Sequence, residues 1–224
     1  MRHGFRACAR AVPLGLVLLG TTGCLPGRSR VPDRYFRLTA PEPGGEVARG
    51  RLEGVLLVDA FSASGPVATR SMLYVDAATP SEVHRRTNRF WAEPPARMLR
   101  DIVASYLAQV RAADIVVTPE QRLTPDHIVS GHLRVFEEGL GEGAPRAIVE
   151  VDLGLVHGSA RSRVTLKRYR EESPLRPAGA RTDPVVAAFE RAVGEVCRRF
   201  VADLTEADRR AKGGAPMRKS VRGR

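Results

Sequence analysis

His127-Ile-Val-Ser-Gly-His-Leu-Arg-Val-Phe136, followed across Gly141-Glu-Gly-Ala-Pro145 by Val149-Glu-Val-Asp-Leu-Gly-Leu155, is the stretch on which the fold turns. Successive side chains of a strand point to opposite faces, so Val129, Leu133 and Val135 share one face with Gly131. The second run sets Val149, Val151, Leu153 and Leu155 on one face, with Glu150 and Asp152 on the other. After His157-Gly-Ser-Ala-Arg161 a third run sets Val164 and Leu166 inward and Arg163, Thr165 and Lys167 outward. Strict alternation, with opposite charges along the outer face, predicts an antiparallel meander that is wet on one side.

Working outward, Gly54-Val-Leu-Leu-Val-Asp-Ala-Phe61 is apolar on both faces, as a central strand would be. Arg34–Leu38, Ser71–Val75 and Ile115–Val117 are shorter strand candidates, and the more polar run Glu82–Phe90 belongs near an edge. A helix is expected from about Pro94 to Ala112, because prolines are tolerated in a first turn where the N–H is spare. Its Met98, Leu99, Ile102, Val103, Tyr106, Leu107 and Val110 recur at three- and four-residue spacing and form one apolar stripe. A second helix is announced by Thr182-Asp183-Pro184, with Val185, Phe189, Ala192, Val193, Val196, Phe200 and Leu204 as its buried stripe. Cys197 lies beside that stripe as a small packed hydrophobe. The expected fold class is α+β, a largely antiparallel β-sheet packed against two amphipathic helices over residues 34–208.

The ends of the chain differ from this body. Arg2, Arg6 and Arg10 precede a ten-residue apolar run, Ala11–Gly20, and then Thr21-Thr22-Gly23-Cys24. Ten residues cannot span a bilayer as a helix, which takes about 20, so residues 1–23 are expected to be a secretory signal. Residues 24–33, rich in Pro, Gly and charge, suit a tether. At the other end, residues 209–224 carry seven Lys and Arg and no acid, and are expected to form a disordered basic tail. The formal charge of +11 over 224 residues therefore sits at the termini, leaving residues 24–208 nearly neutral. A nucleic-acid-binding domain would carry its charge on folded elements, so nucleic acid is not an expected partner.

Catalytic chemistry finds little support. His127 and His132 are five apart on one strand and point to opposite faces, so they cannot share a metal ion there. Ser130 lies near both, yet no GxSxG elbow surrounds it, and the phosphate-binding loops GxxxxGK[ST] and GxGxxG are absent. Glu137/Glu138 and Glu171/Glu172 are expected to be solvated strand ends rather than acid/base pairs. Catalytic residues, cofactors and metals are each expected to be none, and the protein is not expected to be an enzyme.

Two resemblances bring the parts together. Gly23-Cys24 after the apolar run resembles a bacterial lipoprotein signal, although Thr21 stands where Leu is usual. The resemblance implies lipidation at Cys24 and, with Leu25 rather than Asp next, an anchor in the outer membrane facing the periplasm. Three acyl chains, at roughly 0.8 kcal/mol per buried CH₂, would hold the protein there essentially permanently. Tyr35-Phe-Arg-Leu38, the Leu73-Tyr74 strand, Phe90-Trp-Ala-Glu-Pro-Pro-Ala-Arg-Met-Leu99 and Gly131-His-Leu-Arg-Val-Phe-Glu137 occur in an order that resembles the ABC-type transport auxiliary lipoproteins. These accompany MCE-domain lipid transport systems of the Pqi and Mla kind. Tyr35, Leu38, Trp91, Pro94, Met98 and Leu99 match the family motifs, as structural or partner-facing residues. The implied role is a docking or structural subunit in intermembrane lipid transport. Its implied partners are an MCE-domain protein and the associated ABC transporter subunits, with phospholipid and further copies of the chain left open. The alternatives are a lipid-binding carrier, with an acyl chain between helices and sheet, or an outer-membrane assembly lipoprotein.

Overall fold

Three hydrogen-bonded strands, β7 (His127–Leu140), β8 (Arg146–His157) and β9 (Arg163–Pro174), form the expected antiparallel meander in a computed structural model. It describes residues 31–43, 51–141, 143–157, 163–177 and 182–213. Val149, Val151, Leu153 and Leu155 of β8 are all buried, while Glu150 and Asp152 face outward and pair with Arg134, Arg168 and Arg170. Two inward assignments on the flanking strands are corrected. In β7 the pairing passes from Leu133↔Val151 to Val135↔Glu150, so Arg134 is an extra residue. That bulge inverts the alternation beyond it. Phe136 and Glu138 turn inward and are buried, and Val135 does not. In β9 it is Tyr169 that enters the core, and Leu166, expected inside, is 55% exposed.

The remaining strands are β1 (Arg34–Phe36), β2 (Leu52–Val58), β3 (Ser62–Ala63), β4 (Ser71–Asp76), β5 (Val83–Trp91) and β6 (Ala113–Val117). Because β8 occupies one edge of β7 along its length, β2, β3 and β4 must share the other. They pair with it in turn near Ile128, Leu133 and Glu138, all parallel. β2 also pairs parallel with β6, and β1 with β5, whereas β4 and β5 are antiparallel. The sheet of nine strands is therefore mixed, which corrects the largely antiparallel expectation. A helix lies between β5 and β6, giving the chain the length needed to return and pair in parallel with strands laid down earlier. β5 does lie next to the edge, with only the three residues of β1 outside it.

Helix α1 (Pro95–Gln109) starts from Pro94, which caps it, with Pro95 in the first turn. It stops at Val110, after which Arg111 turns the chain with φ of 55°. Every residue of its expected stripe is buried, each contributing about 1.5–3 kcal/mol relative to exposure. Helix α2 (Pro184–Gly213) opens as expected on Asp183, whose carboxylate accepts the Val185 N–H at 3.0 Å. It continues five residues into the segment expected to be a basic tail; residues 214–224 lie outside the described ones, as do the signal 1–23 and Cys24. α1 packs on β2, β6 and β7, α2 packs on β8 and β9, and the helices touch each other. One core joins them, from Leu56, Val129 and Leu133 through Leu99 and Val103 to Val193, Val196 and Phe200. The chain divides into Met1–Val31 and Pro32–Arg224, and all of these elements belong to the second unit.

Candidate functional site

The six motif residues separate into a buried group and an exposed one. Trp91 ends β5 at 1% exposure, and its backbone N–H donates to the Arg70 carbonyl at 2.7 Å. Its indole meets Phe136 and Phe189 edge-on, each at 5.2 Å, and those two rings stack at 4.3 Å. This cluster fastens β5, β7 and α2 together. Leu38, Met98 and Leu99 are buried in the same core, and Pro94 is the exposed cap of α1. Tyr35 alone turns its ring outward, at 55% exposure, on edge strand β1. There it stacks on Phe90 at 5.6 Å and lies under the Arg70 guanidinium, also at 5.6 Å.

The histidines are distributed rather than gathered. His84 stacks on Tyr74 at 5.0 Å beside Glu82, and His127 stacks on its cross-strand neighbour His157 at 4.9 Å. Ser130 is not the serine that reaches an imidazole. Ser62 of β3 places its hydroxyl 2.8 Å from His132 Nδ1, a pair 70 residues apart that no local sequence signal reveals. A nucleophilic serine needs its histidine oriented by a third group. Asp152, opposite His132, instead gives its two oxygens to Arg134 and Arg168 at 2.6 and 2.8 Å. Among the described residues no group of three or more His, Cys, Asp or Glu could hold a metal ion. Cys197 is buried, and burial pushes its thiol up to about 12, so it is inert at neutral pH.

The adjacent carboxylates are not all solvated strand ends, contrary to expectation. Glu138, inverted by the bulge, is 2% exposed and receives two hydrogen bonds from Arg86 of β5, at 2.9 and 3.2 Å. Glu171 pairs with Arg199 of α2. Half-buried Glu137 has its carboxyl pushed up by burial, which the charge of Arg170 only partly opposes. Across the same helix–sheet seam, the Tyr169 hydroxyl donates to Asp203 at 2.7 Å, and Lys167 reaches that carboxylate at 2.9 Å. Burial acts to raise the Asp203 pKa, but these two hydrogen bonds together with the charges of Lys167 and Arg199 outweigh it and hold the carboxyl below its usual range.

A cleft of about 280 Å³ opens where the end of α1 meets β6, between Arg51, Ala108, Arg111, Ala113, Asp114 and Val116. An Arg51–Asp114 ion pair of 2.9 Å crosses its rim, so its lining suits polar rather than acyl ligands. The helix–sheet seam, where an acyl chain was considered, is packed with side chains such as Leu99, Val193 and Phe200 at 0% exposure. Among the described residues no helix is long and apolar enough to cross a membrane.

Comparison with solved structures finds this architecture elsewhere. A Xanthomonas campestris protein of family DUF330 is similar over 80% of this chain and 99% of its own, with a TM-score of 0.66 and 22% identity. An uncharacterised protein is similar over 78% and 99% respectively, with a TM-score of 0.59 and 14% identity. At such identities the likeness is one of fold. No curated protein sequence matches the chain. The sequence profile described as ABC-type transport auxiliary lipoprotein component matches residues 36–201.

Proposed function

The chain belongs to the ABC-type transport auxiliary lipoprotein components, and on that premise we propose that it is a membrane-tethered docking subunit of an MCE-type lipid transport system. Cys24 would carry the lipid anchor, in the outer membrane and facing the periplasm, and the α+β body would engage the MCE assembly and its ABC transporter subunits. The observation that carries this reading is the family match, which runs from β1 almost to the end of the buried part of α2. The packed helix–sheet seam favours docking over the carrier alternative, since an acyl chain would have to displace core side chains at substantial cost.

Crosslinking of the intact lipoprotein in its native cells, followed by mass spectrometry, tests the proposal. Recovery of an MCE-domain protein together with ABC subunits is the expected result. Recovery of outer-membrane assembly proteins, or of no specific partner, would overturn it. Phospholipid co-purifying in stoichiometric amount would transfer the role to a carrier.

A further inference from the structure

Resting on the Cys24 anchor for its geometry, we propose that the β1 rim of the domain is a bilayer-facing footprint for anionic phospholipid headgroups. Arg34, Arg37 and Arg70 supply its charge and Tyr35 its interfacial aromatic ring.

The first argument is charge that the fold leaves over. On the outer face of the meander the arginines are matched: Arg134 and Arg168 share Asp152, and Arg170 bridges Glu150 and Glu172. The rim is different. Arg37 and Arg70 are exposed with no acidic partner among the described residues, and Arg70 is held over Tyr35 while donating to the Ala92 carbonyl at 3.3 Å. Arg34, 59% exposed, stands 3.9 Å from Asp183, a carboxylate that Arg89 already holds at 2.9 Å. Asp33 is the one acid beside them in the chain.

The second argument is the kind of surface. β1 is an edge strand, with Arg34 and Tyr35 on opposite sides of the rim, so a plane laid against the rim meets both. An exposed tyrosine stacked on a half-buried phenylalanine and flanked by arginines has an apolar body with polar tips, which suits the depth of lipid headgroups.

The third argument is position. Arg34 stands ten positions after Cys24, and an extended chain of that length reaches at most about 35 Å. Once Cys24 is lipidated, the start of β1 stays within that distance of the bilayer. The basic stretch that begins at Arg209 lies at the other end of α2, whose last residue is Gly213. That helix begins at Asp183, beside Arg34 and Arg89, and is 30 residues long, or about 45 Å at 1.5 Å per residue. The last described residue of α2 therefore lies far from the rim, and the two basic stretches can be tested apart.

The test uses the mature chain from residue 24 carrying Cys24→Ser, so that no anchor contributes. Its sedimentation is measured with vesicles of phosphatidylcholine alone and of phosphatidylcholine with phosphatidylglycerol. A second form ends after Asp208, four residues beyond Leu204, the last buried core residue among the described ones. Both forms are expected to bind only the phosphatidylglycerol vesicles, more weakly as salt is added. In the shortened form Arg34→Gln/Arg37→Gln/Arg70→Gln should lower affinity about fivefold per arginine, on the order of a hundredfold together. An unchanged thermal midpoint for this triple variant excludes misfolding as the cause. Loss of binding on shortening alone would make the tail the lipid ligand and overturn the proposal. Equal binding by the triple variant, equal binding to both vesicle types, or no binding to either would also overturn it. Because no anchor or partner is present, this outcome is independent of the crosslinking result.

Discussion

Trp91 joins three elements through one side chain, and its removal would be felt in all of them. Trp91→Ala deletes the ring that Phe136 and Phe189 both meet edge-on, and a cavity of that size typically costs about 3–5 kcal/mol. Urea unfolding should show the loss; a change below about 1 kcal/mol would mean that the cluster repacks around the gap. Glu137 makes the opposite case, a residue the fold tolerates rather than uses. It is paired in register between Leu73 and Ile148, both buried, and burial raises its pKa. An acid whose folded pKa is raised costs stability when ionised. The cost is complete above the folded pKa and disappears as pH falls to the unfolded value, near 4.3. Glu137→Gln should therefore stabilise the protein at neutral pH, with the gain fading toward pH 4. A gain that persisted unchanged in acid would locate the effect in packing instead of charge.

At the scale of elements, the Arg86–Glu138 pair locks β5 across β4 to β7, and it exists only because of the bulge at Arg134. Arg86→Ala would leave a carboxylate at 2% exposure without its countercharge. Since Arg86 is itself one-third exposed, water offsets part of the loss, and about 2–3 kcal/mol is expected, at or just below the low end for broken buried pairs. Arg86→Met combined with Glu138→Gln should recover much of it in the same unfolding measurement; a double variant as unstable as the single one would assign the loss to packing on Tyr74, over which Arg86 lies at 4.5 Å. This pair also marks where sequence reasoning ran out. Both helices, their caps and the alternation of β8 were legible, because propensity, spacing and burial agree residue by residue. The bulge was not, since Leu133-Arg-Val-Phe136 fits either parity until Phe136 and Glu138 are seen inside. Nor was the parallel attachment of β2, β3 and β4 to one edge of β7, whose partners are 64 to 71 residues apart. The exposure of Leu166 and the burial of Tyr169 were not legible for a related reason: the Tyr169 hydroxyl is satisfied by Asp203 on a helix distant in sequence. Of the motif residues, sequence named six but could not separate the buried group from Tyr35 and Pro94.

At the scale of the molecule, the proposed anchor and the described fold occupy different stretches of chain. All described strands and both helices lie in Pro32–Arg224, and among the described residues the buried core begins at Leu38, with Phe36 packed against it. On the proposed reading, a lipid at Cys24 would confine the protein to a surface, and the partner surface would be carried by the body. Cys24→Ser, expressed with its signal, should move the protein from the membrane fraction to the soluble fraction of fractionated cells. Its thermal midpoint after purification should match that of the delipidated parent. A lowered midpoint would mean that the N-terminal stretch packs on the domain and that Cys24 has a structural role. Retention at the membrane with an unchanged midpoint would point to the arginines of the β1 rim or to the basic C-terminal segment as a second attachment. Those two are told apart by adding Arg34→Gln/Arg37→Gln/Arg70→Gln or ending the chain after Asp208 in the same cells. Release by the first, and not by the second, is the outcome that the surplus charge at β1 leads one to expect.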